Sequence, residues 1–170
     1  MSEEIQKALK ASGLDVLSCM QCGTCTGSCP SGWNTGFNTR RIIRDACKNR
    51  LTVLSDDNLW LCTTCYTCQE RCPRGIPITD TILNLRRLAV REGLILPEHR
   101  KVAEMVMERG HAVPLDEETK KKREELGLEP IPETVQKCPK ALEELKILLR
   151  SCKFDELIAK DKGANVTKEL

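Results

Sequence analysis

The sequence predicts an all-α protein, and three observations support that prediction. Apolar residues recur at intervals of three and four along several segments, which is the spacing of one helix face. No segment alternates apolar and polar residues for long enough to indicate a β-strand. Prolines and glycines lie at the boundaries of the helical segments, where they begin or end helices. The length, 170 residues, is that of about one domain.

Four helical segments are predicted in the N-terminal part of the chain, residues 1–96. A glycine follows the first and the last of them, and Ser55 or Asp56 can cap the third, because these residue types commonly stand at helix ends. The predicted helices are residues 5–12 before Gly13, about Asn38 to Arg50, the short segment through Leu61, and Pro77 to Gly93.

Residues 97–170 are predicted to form a helical C-terminal extension that docks onto a partner. The density of cysteines falls after Pro97 and the density of charged residues rises. The tail from Lys160 to Leu170 is polar and is predicted to be frayed. The predicted helices are Pro97 to Arg109, Asp116 to Leu126, a long helix opened by Pro139 with Leu142, Leu145, Leu148, Leu149 and Cys152 on one face, and Phe154 to Ala159.

The composition limits the classes of function. Lys and Arg number 27 against 25 Asp and Glu, and this balance argues against a nucleic-acid-binding protein. Aromatic residues make up only 3% of the chain, so a bound group is expected to help hold the fold together. The N-terminus has no signal-peptide pattern, and no run of 18 apolar residues occurs. The sequence thus predicts a cytoplasmic protein without a membrane anchor, whose thiols stay reduced.

Eight of the 11 cysteines form two quartets of identical spacing. Each quartet follows the pattern C-x2-C-x2-C-x3-C-P, and the second repeats the first after 43 residues. A repeat of this kind is a strong signal for duplicated structure. The quartets span residues 19–30 and 62–73, with the cysteines at Cys19, Cys22, Cys25 and Cys29 and at Cys62, Cys65, Cys68 and Cys72.

This spacing is typical of two [4Fe–4S] clusters, in which the fourth cysteine of each run binds the cluster of the other run. Two zinc ions are the alternative, although zinc ribbons use separated C-x2-C pairs rather than four cysteines within eleven residues. The crossed pattern assigns Cys19, Cys22, Cys25 and Cys72 to the first cluster, and Cys29, Cys62, Cys65 and Cys68 to the second.

The ligand count predicts electron transfer rather than catalysis. Cys25 and Cys29 are four residues apart, so their Cα atoms lie at most about 14 Å apart and the two clusters must be neighbours. Two clusters use all eight thiolates, and no iron keeps an open position for substrate. The chain has no nucleotide-binding glycine motif, and His99 and His111 belong to no catalytic signature.

The other three cysteines and one basic run are given structural roles. Cys47 and Cys152 fall on apolar helix faces and are predicted to be buried as small hydrophobic residues. Cys138 lies in a proline-rich link and is predicted to be exposed. The basic run 120–123 is flanked by glutamates, so it is predicted to be a solvated helix face.

Six segments of this sequence resemble the iron–sulfur C subunit of methanogen heterodisulfide reductase. The quartets alone occur in many α-helical ferredoxin domains, such as the iron–sulfur subunit of succinate dehydrogenase and fumarate reductase. The segments of the C-terminal half make the resemblance specific to the heterodisulfide reductase subunit. The segments are CMQCGTCTGSCPSGWNT, TRRIIRDA, LWLCTTCYTCQERCPRGIPITD, GHAVPLDEETKKKREELGLEP, ALEELKILL and FDELI.

The resemblance implies a complex with an FAD-containing, iron–sulfur A subunit and a catalytic B subunit. The C subunit of that family passes electrons from the FAD-containing subunit to the catalytic one, which reduces the mixed disulfide of coenzyme M and coenzyme B in methanogenesis. In that family the complex can join a hydrogenase or formate dehydrogenase and bifurcate electrons. Two alternatives remain open: an iron–sulfur subunit of another oxidoreductase, and a structural iron–sulfur module.

Overall fold

The structure is a computed structural model and describes residues 4–160. Within this range the chain forms helices, turns and loops without a β-strand, which confirms the predicted all-α class. The predicted frayed tail runs from Lys160 to Leu170, and all of it after Lys160 lies outside the described residues. The described chain divides into two compact units, residues 4–94 and 95–160.

The first unit contains three longer helices and several short ones around the cysteine quartets. Its longer helices pack against one another and hold the short segments between them. The helices are α1 (Glu4–Ala11), α2 (Thr24–Gly27), α3 (Pro30–Asn34), α4 (Thr39–Cys47), α5 (Thr67–Glu70) and α6 (Ile78–Arg91), with 3-10 turns at Leu51–Ser55 and Asp57–Leu61.

The apolar faces of α1, α4 and α6 form the core of the first unit. Residues three and four apart on a helix lie on one face, and these faces are the ones that the spacing predicts. Because these faces are buried against each other, the quartets lie on loops anchored to one packed core. The fully buried side chains include Ile5, Leu9, Ile42, Ile43, Ala46, Ile82, Leu85 and Ala89.

Asn49 explains why α4 is shorter than predicted. The predicted helix runs to about Arg50, whereas α4 ends at Cys47. Asn49 has a left-handed backbone, with φ of 53°, and its side-chain oxygen accepts the backbone N–H groups of Ile5 and Gln6 at 2.9 and 3.2 Å. It thereby satisfies free donors in the first turn of α1, and this requires the chain to leave the helix.

The second unit consists of α7 (Pro97–Arg109), α8 (Glu117–Glu125), α9 (Pro139–Ser151) and α10 (Phe154–Ala159), which match the predicted segments within one or two residues. Helices α7, α9 and α10 contact one another. Gly110 ends α7 with φ of 67°, and a Cβ there would lie 2.2 Å from Val135 Cγ2. Only glycine fits this close approach.

The second unit has few buried apolar side chains. Among residues 95–160, Ile158 is the one buried hydrophobic residue. The predicted apolar stripe of α9 is partly wrong, because Leu148 is 62% exposed while Leu142, Leu145 and Leu149 are half-buried. Helix α8 is a solvated face as predicted, with ion pairs from Lys120 and Lys122 to the glutamates of its first turn.

Candidate iron–sulfur site

A surface cavity lies at the first quartet, and a cysteine of the second quartet lines it. Its empty space, including the part open to solvent, is about 360 Å³. Cys19, Cys22, Cys25 and Cys72 line it, and Cys29 does not. We call these four cysteines site 1, which is the set that the crossed pattern assigns to the first cluster.

The other four predicted ligands, Cys29, Cys62, Cys65 and Cys68, lie close enough to act on one another electrostatically; we call them site 2. Burial raises the pKa of the Cys62 thiol, and the charges of Cys29 and Cys65 act in the same direction. Burial also raises the pKa of Cys68, with further contributions from Cys62, Cys29 and Cys65. The interaction energy of two charges falls with distance, so these effects indicate that Cys29 belongs beside the second quartet.

The two sites are neighbours in the fold. The chain passes through α2 from Cys25 of site 1 to Cys29 of site 2, and through α5 from Cys68 of site 2 back to Cys72 of site 1. The two short helices pack against each other. Burial raises the pKa of the Cys25 thiol, and the charge of Cys68, from the other site, raises it further.

The two quartet loops have the same backbone conformation. Gln21 and Thr64, which are 43 residues apart, have φ values of 58° and 54°. Gly23 and Tyr66, again 43 residues apart, have φ values of 87° and 62° and precede α2 and α5. Left-handed backbone is uncommon outside glycine, so its recurrence at matched positions shows that the sequence repeat is also a structural repeat.

Reciprocal hydrogen bonds join each quartet to the loop of the other. In each case the side chain of the residue two places after the fourth cysteine donates a hydrogen bond to a backbone carbonyl. That carbonyl belongs to the residue just before the first cysteine of the opposite quartet. Ser31 Oγ donates to the Leu61 carbonyl at 2.7 Å, and Arg74 Nε donates to the Ser18 carbonyl at 3.3 Å. These two bonds hold each fourth cysteine beside the opposite loop, as crossed ligation requires.

Two residues after the second cysteine of each quartet stands a threonine, which lowers the pKa of that cysteine's thiol. Hydrogen bonds from the side chain and backbone of Thr24 lower the pKa of Cys22, whose Sγ lies 3.4 Å from Thr24 Oγ1. Hydrogen bonds from Thr67 lower the pKa of Cys65 in the same way. Because the thiolate is the form that binds metal, both bonds favour the ligand state.

The donor set fits a pair of iron–sulfur clusters. All eight groups are sulfur, and a [4Fe–4S] cluster takes one thiolate per iron. In the described range, no three Cys, His, Asp or Glu side chains come close enough together to hold a single metal ion. A four-iron cluster needs ligands arranged around it instead, and the four cysteines that line the cavity of site 1 have that arrangement.

Of the remaining three cysteines, Cys138 agrees with prediction, Cys47 agrees in part and Cys152 does not. Cys47 is half-buried against the core, and its thiol donates to the Val16 carbonyl at 3.0 Å. Cys138 is exposed, as predicted. The prediction that Cys152 is buried is wrong: α9 ends before it and it lies exposed as the C-cap, so it packs on no helix face.

Changing Cys47 to Ala is expected to leave both clusters in place. Burial, together with the charges of Cys19 and Asp15, raises the pKa of this thiol to about 11, so it stays protonated. We expect the free energy of unfolding to fall by about 1 kcal/mol, from one lost hydrogen bond and a small loss of packing. Iron analysis and chemical denaturation measure both effects, and loss of iron from the variant would contradict this role for Cys47.

Sequence reasoning missed the two threonines and the two reciprocal bonds. Thr24 and Thr67 occupy the same place in the aligned quartets, so the repeat contained a signal for them. Ser31 and Arg74 also align, but they are different residue types. Their shared role becomes visible only when both loops are placed in space.

Comparisons with known proteins identify the family. Residues 15–76 match the model of a 4Fe-4S dicluster domain. The chain is 81% identical to the C subunit of ferredoxin:CoB-CoM heterodisulfide reductase from Methanosarcina mazei, over 94% of this chain and 99% of the relative. This chain belongs to the family of heterodisulfide reductase C subunits. It is also 43% identical to the C subunit of H(2):CoB-CoM heterodisulfide,ferredoxin reductase from Methanothermobacter marburgensis, over 93% of this chain and 86% of that relative.

Membership in this family confirms several predictions. The chain is an iron–sulfur electron-transfer subunit of a heterodisulfide reductase complex, and its cofactors are two [4Fe–4S] clusters. The match covers most of the C-terminal half as well as the quartets, which separates this family from other oxidoreductases with the same quartets. Across residues 4–160, no helix combines the length and apolar character needed to cross a membrane.

Proposed function

We propose that the eight cysteines of sites 1 and 2 bind the two clusters in crossed fashion, and that the chain relays electrons from an FAD-containing A subunit to a catalytic B subunit. The observation that supports this most directly is the position of Cys72. It lines the cavity of site 1 together with the first three cysteines of the other quartet.

Each group of residues has a defined task in this relay. The eight thiolates hold the clusters, and the bonds from Ser31 and Arg74 fix the two fourth ligands. When bound, each cluster supplies one site for the reversible uptake of a single electron. Reduction of a disulfide to two thiols needs two electrons and two protons. The pair of sites can therefore carry the electrons, while the protons are taken up where the disulfide is reduced.

The eight thiolates leave no open iron, so the substrate is expected to bind elsewhere. A catalytic metal needs a free coordination position, and two four-iron clusters with eight cysteines have none. The sequence also lacks the adjacent Cys-Cys pair of the cysteine-rich motif of a catalytic subunit. The heterodisulfide of coenzyme M and coenzyme B is thus reduced in the catalytic B subunit.

The names of the relatives support ferredoxin as the source of electrons. Two relatives that are 81% identical are named as subunits of a ferredoxin:CoB-CoM and of a ferredoxin/F(420)H(2)-dependent CoB-CoM heterodisulfide reductase. The relatives whose names begin with H(2) or H(2)/formate are 43% to 46% identical. We propose that the complex of this chain takes electrons from reduced ferredoxin, rather than from the hydrogenase or formate dehydrogenase that the resemblance implies as a further partner.

The purified, anaerobically reconstituted chain is expected to contain about eight irons and eight acid-labile sulfides, because each of two clusters has four of each. Iron, sulfide and zinc are measured on one sample. A Cys138→Ser variant is the matched control, since that exposed thiol should make no difference. About four irons, or zinc in place of iron, would contradict the proposal.

A further inference from the structure

The two sites have different charged side chains around them. Arg40 and Arg74 both line the cavity of site 1. Arg40 lies beside the first loop, with its Cδ 3.9 Å from the position of a Cβ on Gly23, and it donates to the side-chain oxygen of Gln21 at 3.4 Å. Arg74 bonds the carbonyl before Cys19. Two guanidinium groups therefore contribute positive charge at site 1.

A negative charge lies beside the second quartet loop, at site 2. Tyr66 takes the place of Gly23 in the second loop, and its hydroxyl donates to Asp80 at 3.1 Å. Gln69 donates to the other oxygen of this carboxylate at 3.1 Å. Asp80 belongs to the first turn of α6, the helix after the second quartet, and Arg40 belongs to the first turn of α4, after the first quartet.

One arginine also lies at site 2, and it offsets Asp80. Arg86 donates to the carbonyls of Cys62 and Leu59 at 2.8 and 3.1 Å, and its guanidinium lies 5.6 Å from the centre of the Trp60 ring. Ser31, the counterpart of Arg74, is uncharged. Arg71, which precedes Cys72, donates to Ser28 Oγ at 3.5 Å beside Cys29, so its charge is shared by both sites. Apart from this shared cation, the contacts place two cations at site 1, and one cation with one anion at site 2.

A nearby charge changes the potential at which a cluster accepts an electron. Reduction adds one negative charge, which a cation stabilises and an anion destabilises. Arg40 and Arg74 are exposed, so solvent screens part of their effect. Opposite charges beside the two quartet loops nevertheless shift the two potentials in opposite directions.

We propose that Arg40 and Arg74 give site 1 the higher reduction potential, and that Asp80 lowers the potential of site 2. Electrons then pass from site 2, with Cys29, Cys62, Cys65 and Cys68, to site 1. This inference relies on the proposed binding of one cluster at each site. Arg40, Arg74 and Asp80 are positioning residues: they set the direction of transfer and bind no iron.

The test is a redox titration of the full-length reconstituted chain, followed by electron paramagnetic resonance at low temperature. Arg40→Gln and Arg74→Gln should each lower the reduction potential of the higher-potential cluster, so that its reduced-to-oxidised ratio at a fixed potential falls about threefold. In the double variant the ratio should fall about tenfold, which corresponds to about 59 mV for one electron. Asp80→Asn should instead raise the reduction potential of the lower-potential cluster. Arg74→Lys, which keeps the charge, should stay near the unmodified chain.

Arg91→Gln is the matched control, because it removes an equal charge at the far end of α6. Arg91 lies about 20 Å along the helix from Ile78, which lines the cavity of site 1. Iron content is measured on every variant. If Arg74→Gln loses iron with its hydrogen bond, Arg40→Gln and Asp80→Asn still decide the question.

Three results would overturn the inference while leaving the proposed function intact: eight irons that titrate at a single potential, eight irons with no shift in the arginine variants, or a shift of the lower-potential signal in those variants. An unmodified chain with fewer than eight irons would instead contradict the proposed function. The inference would then fail with it.

Discussion

Cys72→Ser is expected to destroy the cluster that Cys19, Cys22 and Cys25 hold, although Cys72 lies 43 residues after the end of that quartet. Cys72 lines the cavity of those three cysteines, and a serine hydroxyl is a poor substitute for a thiolate ligand. The iron content should fall from about eight towards about four per chain. Paramagnetic resonance of the remaining cluster identifies which of the two is lost.

The reciprocal variant, Cys29→Ser, should destroy the cluster of Cys62, Cys65 and Cys68. Cys152→Ser is the matched control, since this thiol is exposed at the end of α9 and should leave both clusters intact. If Cys72→Ser instead removes the cluster of the second quartet, ligation is local and the crossed assignment is wrong.

Removal of the residues after Leu96 is expected to retain both clusters and to abolish assembly with the catalytic B subunit. The first unit has its own core of fully buried side chains, and all eight proposed ligands lie within it. The second unit has one buried hydrophobic residue among residues 95–160 and leaves Leu126, Ile147 and Leu148 more than half exposed. Helices without a buried face depend on a partner for stability.

The truncation is tested by iron analysis and by co-purification with the catalytic B subunit. A chain with a protease site inserted after Leu96 provides the control, because the same preparation is compared before and after cleavage. Loss of both clusters on cleavage, whether or not the catalytic partner is present, would show that the second unit only covers the clusters from water. Retained binding to that partner would place the docking surface on the first unit.

The sequence predicts the longer helices well because their boundaries depend on local chemistry. Pro97 and Gly110 bound α7, and Pro139 opens α9, as proline at the first turn and glycine after the last turn require. The short helices α2, α3 and α5 were missed. Each has five residues or fewer, so no periodic pattern can develop, and their positions depend on the quartet loops.

The sequence predicts the proposed ligands of the site, but it does not predict the contacts that support them. Cysteine spacing depends on the chemistry of the clusters, and it is visible along the chain. The bonds of Ser31 and Arg74 join residues 30 and 56 positions apart, and they follow from the packing of two loops. The exposure of Cys152 likewise depends on where α9 ends, which its apolar neighbours do not reveal.

The central claim is that two clusters lie side by side with their fourth ligands exchanged, and magnetic coupling between them tests it most directly. Cys25 and Cys29 lie at most about 14 Å apart along the chain, so two paramagnetic clusters bound through them must interact. The fully reduced chain should give a broadened, split resonance spectrum, whereas the half-reduced chain should give a simple one. A fully reduced spectrum equal to the sum of two independent signals would contradict the account.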